Sequence, residues 1–194
     1  MRKFLISFLE VLEIALIAVA AVYIVRTFFV QPFLVSGSSM VPNFQNGDYV
    51  LVDEFTYRVR PPTRGDVVVF HDPQDWSTYF IKRVIGLPGE TVNITNNSIT
   101  VFNKDHAQGL ALDESYLPQG TPVSAETCDG GSFSGGVCAY QLSSSTYLML
   151  GDNRTESYDS RSWGPLPAKN VVGLVRLRLW PINEITAFAA PNYQ

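Results

Sequence analysis

From Phe4 to Val30 the chain is almost unbroken apolar sequence, with Glu10, Glu13 and Arg26 as its only charges. Beyond it the pattern changes to short β-branched runs bounded by Gly, Pro and Asp. The change predicts one membrane-spanning helix ahead of a strand-rich body. A span needs about 20 residues, and two registers satisfy this, Phe4–Val25 and Val11–Val30. The second is preferred, or a position sliding between them, because a carboxylate at mid-helix costs about 2.5–3.5 kcal/mol. It leaves Glu10 outside and Glu13 near the interface, and Arg26 can snorkel from either register. Arg2 and Lys3 precede the span, which places the N-terminus in the cytoplasm and the body outside it; Arg26 weakens that bias without reversing it. A cleavable signal peptide is the competitor, but its apolar core would be about 7–15 residues, shorter than this run.

The body reads as strands at Asp48–Asp53, Asp66–Phe70, Phe80–Ile85, Thr91–Ile94, Ser98–Phe102, Thr146–Leu150 and Val171–Leu179. Thr91–Ile94 and Ser98–Phe102 form a hairpin around Asn96-Asn97. Residues 103–145 read as a loop-rich insertion. The expected organisation is therefore a tip and anchor over 1–30, a body over 31–182 and a C-terminal tail over 183–194. The fold class is mainly β.

Composition narrows the function. The 194 residues carry a formal charge of −4, with a pI near 5.1, so no basic surface is available for nucleic acid. Two cysteines, Cys128 and Cys138, are too few for a structural zinc site, and His71 and His106 show no ligand spacing to them. A disulfide closing a surface loop is the better reading in an oxidising compartment, with two free thiols as the alternative. No metal or cofactor is implied.

Three stretches could carry chemistry. Ser36-Gly37-Ser38-Ser39-Met40-Val41-Pro42 follows the anchor directly and reads either as a flexible linker or as the seat of a nucleophilic serine. On the strand Phe80–Ile85, Phe80, Lys82 and Val84 share one face while Ile81, Arg83 and Ile85 share the other. Lys82 between two apolar neighbours could be buried, and burial disfavours its ammonium. A neutral amine can take a proton from a serine hydroxyl; the alternative is a lysine snorkelling from a half-exposed strand. Gly151 to Arg161 packs two Asp, two Arg and two Ser into one loop, either rigidified by ion pairs or solvated.

Four boxes, Ser36–Pro42, Arg64–Phe70 (R-G-D-V-V-V-F), Lys82–Glu90 (K-R-V-I-G-L-P-G-E) and Gly151–Gly164 (G-D-N-R-x-x-S-x-D-S-R-x-W-G), occur in order after an anchor. Together they resemble the motif boxes of bacterial type I signal peptidases. The resemblance spans Arg26 to about Trp180, residues 103–145 excepted. It implies an antiparallel coiled β-sheet, with Ser39 as nucleophile and Lys82 as general base. Ser157 would orient the lysine amine, and Asp152, Arg83, Asp159 and Arg161 would form supporting ion pairs. Met40 would pack beneath the nucleophile. Small substrate pockets would be lined at Phe33, Val35, Phe44, Val50, Val69, Phe80 and Ile81, beside Met40. Gly37 stands where some members carry an oxyanion-binding serine, leaving backbone donors at Ser39 and the Gly37 region. Asn43 stands where threonine is usual. The implied partners are signal peptides of secretory preproteins and the lipid bilayer, with proximity to the protein-export translocon. A Ser-Lys self-cleaving regulator would carry a DNA-binding domain and no anchor, the reverse of this chain. A catalytically silent, membrane-tethered β domain that binds exported peptides or a partner is the remaining rival.

Overall fold

The computed structural model describes residues 2–28, 30–123, 127–191 and 193, with the side chains of 2–5 and 24–28 excepted. Helix α1 (Arg2–Phe28) runs without a break for 27 residues, about 40 Å at the α-helical rise. Its most apolar window, Ile6–Tyr23, has a mean hydropathy of 2.1 and no buried residue, so by length and composition it can cross a membrane. That window contains both Glu10 and Glu13. The helix stops at Phe28 and Val30 already belongs to a strand, so the Val11–Val30 register overruns the helix. The side chains of Arg2, Lys3 and Arg26 lie outside the described residues.

The body is built from β1 (Val30–Leu34), β2 (Tyr49–Asp53), α2 (Thr56–Val59), β3 (Val67–His71), β4 (Tyr79–Gly86), β5 (Thr91–Ile94), β6 (Ile99–Phe102), β7 (Leu110–Ala111), β8 (Ser132–Ser134), β9 (Val137–Gln141), β10 (Thr146–Leu150), α3 (Ser160–Trp163), β11 (Leu166–Pro167), β12 (Val171–Trp180) and β13 (Thr186–Ala187). One eight-stranded sheet runs β1-β2-β12-β3-β4-β10-β11, with β13 beside β12; a five-stranded sheet runs β7-β6-β5-β9-β8. The pairings are antiparallel. Strand β12 lies between β2 and β3, and its register slips against both. Such irregularities add local twist and curl a sheet.

Side-chain alternation divides the core. On β3, Val67 and Val69 join one cluster with Val35, Met40, Phe44, Val50 and Val52, while Val68 and Phe70 join another with Val84, Met149 and Trp163. On β10, Tyr147 and Met149 face that second cluster, and Leu148 and Leu150 face the core of the five-stranded sheet. Burial on both faces explains why these strands read as continuous apolar runs rather than alternating ones.

Several elements differ from the sequence expectation, while the Cys128–Cys138 disulfide agrees with it. Val30–Leu34, read as the end of the apolar segment, pairs with β2. Val137–Gln141, inside the loop-like stretch, pairs with β5 and sends Cys138 and Tyr140 into the core; the Gly/Ser patch before it masks a short alternating run. Cys128 and Cys138 are joined in a disulfide with Cα atoms 5.7 Å apart. Finally, residue 183 does not begin a free tail. Thr186 and Ala187 pair with β12, and the Phe188 ring lies 4.3 Å from that of Phe44.

Phe44 is fully buried in the cluster beneath the Ser36–Pro42 segment. Phe44→Ala is expected to cost about 3–5 kcal/mol, read as a lowered urea midpoint. Phe188→Ala should cost less, because its ring only packs against that core from its margin.

Candidate active site

The segment between β1 and β2 is closed at its base by Val35 N–H donating to the Asp48 carbonyl (2.8 Å) and Gly47 N–H donating to the Val35 carbonyl (2.9 Å). Met40 and Phe44 point into the core and hold the turn down. At its outer side Gly37 has φ +102°, a conformation L side chains rarely adopt, and its N–H donates to Asn46 Oδ1 at 2.9 Å. This bracing makes the segment a fixed turn rather than a linker. Ser38 is exposed, whereas Ser39 is half-buried and turned toward β4.

Lys82 meets it there. Its Nζ donates to Ser39 Oγ at 2.7 Å and to the Ile81 carbonyl at 2.9 Å. Only 3% of Lys82 is exposed. Burial lowers its pKa from 10.5 to about 8, against the opposing pull of Asp159 and Asp152. The strand explains the placement: Phe80 and Val84, two residues either side of Lys82, both pack in the cluster on one face, while Ile81 and Ile85 pack in the others.

The loop after β10 wraps behind this pair. Arg83 donates from Nε to Asp152 Oδ1 (2.8 Å) and from Nη2 to Asp152 Oδ2 (2.6 Å). Arg161 makes the same fork with Asp159, at 2.8 Å on each arm. All four side chains are buried. Gly151 N–H donates to Asp159 Oδ2 at 3.0 Å, and Asn153 N–H donates to the Ser39 carbonyl at 3.0 Å. Gly151 is required by space alone: a Cβ there would collide with Ser157 Oγ and the Ser39 carbonyl. Ser157 Oγ is buried at this junction but makes no hydrogen bond among the described residues. The hydrogen bond expected between Ser157 and the lysine amine is therefore not formed in this arrangement, in which Lys82 donates to Ser39 and Ile81 instead.

A cleft of about 280 Å³ opens beside Ser39 and Lys82, walled by Phe33, Val35, Val50, Val69, Phe80 and Ile81. Leu34, Tyr79, Glu156 and Tyr158 also line it. Met40 and Phe44 do not; they lie in the buried cluster underneath, Phe44 against Phe188. A polar edge adjoins the cleft. Strand β4 pairs with β3 from Tyr79 to Arg83, but with β10 only from Arg83 onward. The other side of Tyr79–Lys82 is therefore without a partner strand among the described residues. Neither histidine belongs to the site: His71 stacks on Trp76 and His106 sits in an exposed turn. Among the described residues no group of His, Cys, Asp and Glu is disposed to hold a metal ion.

The family model described as "Signal peptidase, peptidase S26" matches residues 8–180. The chain belongs to the signal peptidase S26 family. It is a serine endopeptidase. Signal peptidase I of Leptolyngbya laminosa is 33% identical over 174 residues, covering 86% of this chain and 77% of that protein. Signal peptidase IB of Staphylococcus aureus (strain COL) is 35% identical over 193 residues, covering 90% of this chain and 92% of that one. A crystal structure of a signal peptidase I from Enterococcus faecalis V583 overlays with a TM-score of 0.45 at 28% identity, covering 60% of this chain and 97% of that one, an overlap too low to bear on the fold.

Several residues that shape this peptidase site carry no obvious signal in the sequence. Asn43, notable only as a departure from the usual threonine, donates from Nδ2 to Asp152 Oδ2 (2.8 Å) and to the Tyr116 carbonyl (3.2 Å). Asn153 Nδ2 reaches the Ser38 carbonyl at 3.2 Å. Glu114 and Tyr116 come from the loop-like stretch, whose lack of periodicity hid them.

Removing one member of a buried ion pair leaves the other charge without compensation. Asp152→Ala is expected to lower stability by about 3–5 kcal/mol. The paired replacement Arg83→Met/Asp152→Leu should cost clearly less, by comparison of urea midpoints.

Proposed function

We propose that this peptidase is membrane-anchored and removes N-terminal signal peptides from exported preproteins, with Ser39 as nucleophile and Lys82 as general base. The observation that carries the reading is the 2.7 Å hydrogen bond between Lys82 Nζ and Ser39 Oγ, made by an almost fully buried amine. Burial makes the ammonium costly, so the neutral amine is accessible near neutral pH.

Ser39 Oγ attacks the scissile carbonyl carbon as Lys82 Nζ takes the hydroxyl proton. The negative charge that develops on the carbonyl oxygen is met by backbone donors of the turn, the Ser39 N–H first. The Gly37 N–H already serves Asn46 and contributes by holding the turn. Collapse of the tetrahedral species breaks the peptide bond, and Lys82 gives its proton to the departing amine. Water, deprotonated by the again neutral Lys82, then attacks the acyl-enzyme and frees Ser39.

The cleft accounts for specificity. Its apolar walls leave space for small side chains, which suits the A-x-A-like pattern ahead of signal-peptide cleavage sites. An extended substrate can add as a strand along the open edge of Tyr79–Lys82, where main-chain hydrogen bonds hold it without regard to sequence. Helix α1 tethers the body through β1, only a short turn from Ser39. With residues 1–30 as tip and anchor and the body from residue 31 onward outside the cytoplasm, the site faces the bilayer near the export translocon, where signal peptides emerge.

Purified protein assayed in detergent should process a preprotein, and Ser39→Ala or Lys82→Ala should remove activity to background. Cleavage by either variant at the unsubstituted rate would refute the mechanism. Because the base must be neutral, the rate should fall about tenfold per pH unit below the lysine pKa, with the acid limb centred at about 8. A flat acid limb would rule out Lys82 as base.

A further inference from the structure

The stretch between β6 and β9 reads as a loop-rich insertion, yet one short piece of it enters the wall behind Ser39. Glu114 and Tyr116 meet Arg154, whose side chain is wholly buried. The Arg154 guanidinium donates to both Glu114 carboxylate oxygens, from Nη1 to Oε2 at 2.7 Å and from Nη2 to Oε1. Nη2 also donates to the Tyr116 hydroxyl at 2.8 Å, and that hydroxyl donates to Glu114 Oε1 at 2.8 Å. Arg154 Nε donates to the Gly151 carbonyl at 2.9 Å.

Gly151 is the residue packed without clearance against the Ser39 carbonyl. A guanidinium fixed by Glu114 therefore fixes the backbone on which the nucleophile rests. Tyr116 acts from a second direction. The Arg83 guanidinium lies 4.1 Å from the centre of its ring, and its carbonyl accepts from Asn43, which also holds Asp152. Thus one loop segment contacts both Arg83, the sequence neighbour of Lys82, and Arg154, which holds the Gly151 carbonyl.

Charge supports the same assignment. Arg83, Arg154 and Arg161 place three buried guanidinium groups around two buried carboxylates, Asp152 and Asp159. Glu114 is the third carboxylate and brings the group to neutrality. An excess positive charge here would offset the pull of Asp159 and Asp152 on Lys82.

We propose that Glu114 and Tyr116 are positioning residues of the peptidase site, acting on Ser39 and Lys82 through Arg154 and Arg83. The proposal rests on the Ser39–Lys82 mechanism above. Neither residue lines the cleft; they hold the turn in register and balance the charge behind it.

The test uses the full chain in detergent with a preprotein substrate, and kcat corrected for the folded fraction by near-ultraviolet circular dichroism. Glu114→Gln keeps the shape and removes the charge. It is expected to lower corrected kcat at least tenfold and to move the acid limb to lower pH, since uncompensated positive charge disfavours the Lys82 ammonium. The charged and titratable groups around Lys82 are otherwise unchanged: Asp152 and Asp159 from the loop after β10, Tyr79, Glu156 and Tyr158 in the same cleft, and Arg83 on the opposite face of its own strand. A wild-type value for either corrected kcat or the acid limb overturns the proposal, because loss of fold alone moves neither. If Glu114→Gln does not fold, Tyr116→Phe decides. It keeps the ring over Arg83 and deletes the hydroxyl, with at least a threefold fall in corrected kcat expected and an unchanged kcat overturning the proposal. Cleavage that persists in Ser39→Ala would instead sink the mechanism on which the proposal rests, so the two failures are distinguishable.

Discussion

A lysine amine is neutral near neutral pH only where its charged form is penalised, and the body of this peptidase is arranged to penalise one amine. Water is kept from Lys82 by the apolar residues of its own strand face and by the turn carrying Ser39. The lowering of its pKa from 10.5 to about 8 corresponds to about 3 kcal/mol of differential destabilisation. This is a charge against the fold itself. For a base with a depressed folded pKa, the destabilisation is complete below pH about 8 and disappears as pH rises to 10.5, where the unfolded amine also loses its proton. The molecule is therefore least comfortable where it carries the ammonium, and the rest of the core must supply the difference.

Much of that core was legible, and the reason is periodicity. Seven strands announced themselves as β-branched runs between Gly, Pro and Asp, and the alternation across Phe80–Ile85 separated Lys82 from Arg83 before any contact was known. Ser39 could not be told from Ser38 by local pattern; the four ordered boxes chose it, and the structure turns Ser39, not Ser38, toward Lys82. What sequence did not reveal has a common physical character. Glu114, Tyr116 and Asn43 matter through contacts with residues 38 or more positions away, and such contacts leave no periodic trace. Likewise β9 was hidden because five alternating residues after a Gly/Ser patch are too few to stand out, although both its inward side chains are fully buried. Phe44 was expected to meet substrate; it is instead a floor beam, since the turn needs an apolar anchor below it as much as the cleft needs a wall.

Buried ion pairs ring the site. Such pairs rarely add net stability over apolar packing, so their number here points to geometry as their use. Each fork fixes a guanidinium plane, and each plane fixes a carbonyl: Arg83 that of Gly65, Arg154 that of Gly151, Arg161 that of Arg154. Backbone is thereby held at close range in a loop with no regular structure of its own. Gly151 shows how close the fit is, since one added carbon would strike both Ser157 and the Ser39 carbonyl.

The position of β12 has a consequence in time. The strand after Ser39's turn, β2, and the strand pair bearing Lys82 are not neighbours; β12, from late in the chain, is laid between β2 and β3 and supplies the backbone bonds to both. Until that late segment has been synthesised, the strand after Ser39's turn and the strands carrying Lys82 have no sheet in common. A chain made only as far as residue 170 thus lacks the strand that joins these two parts of the sheet.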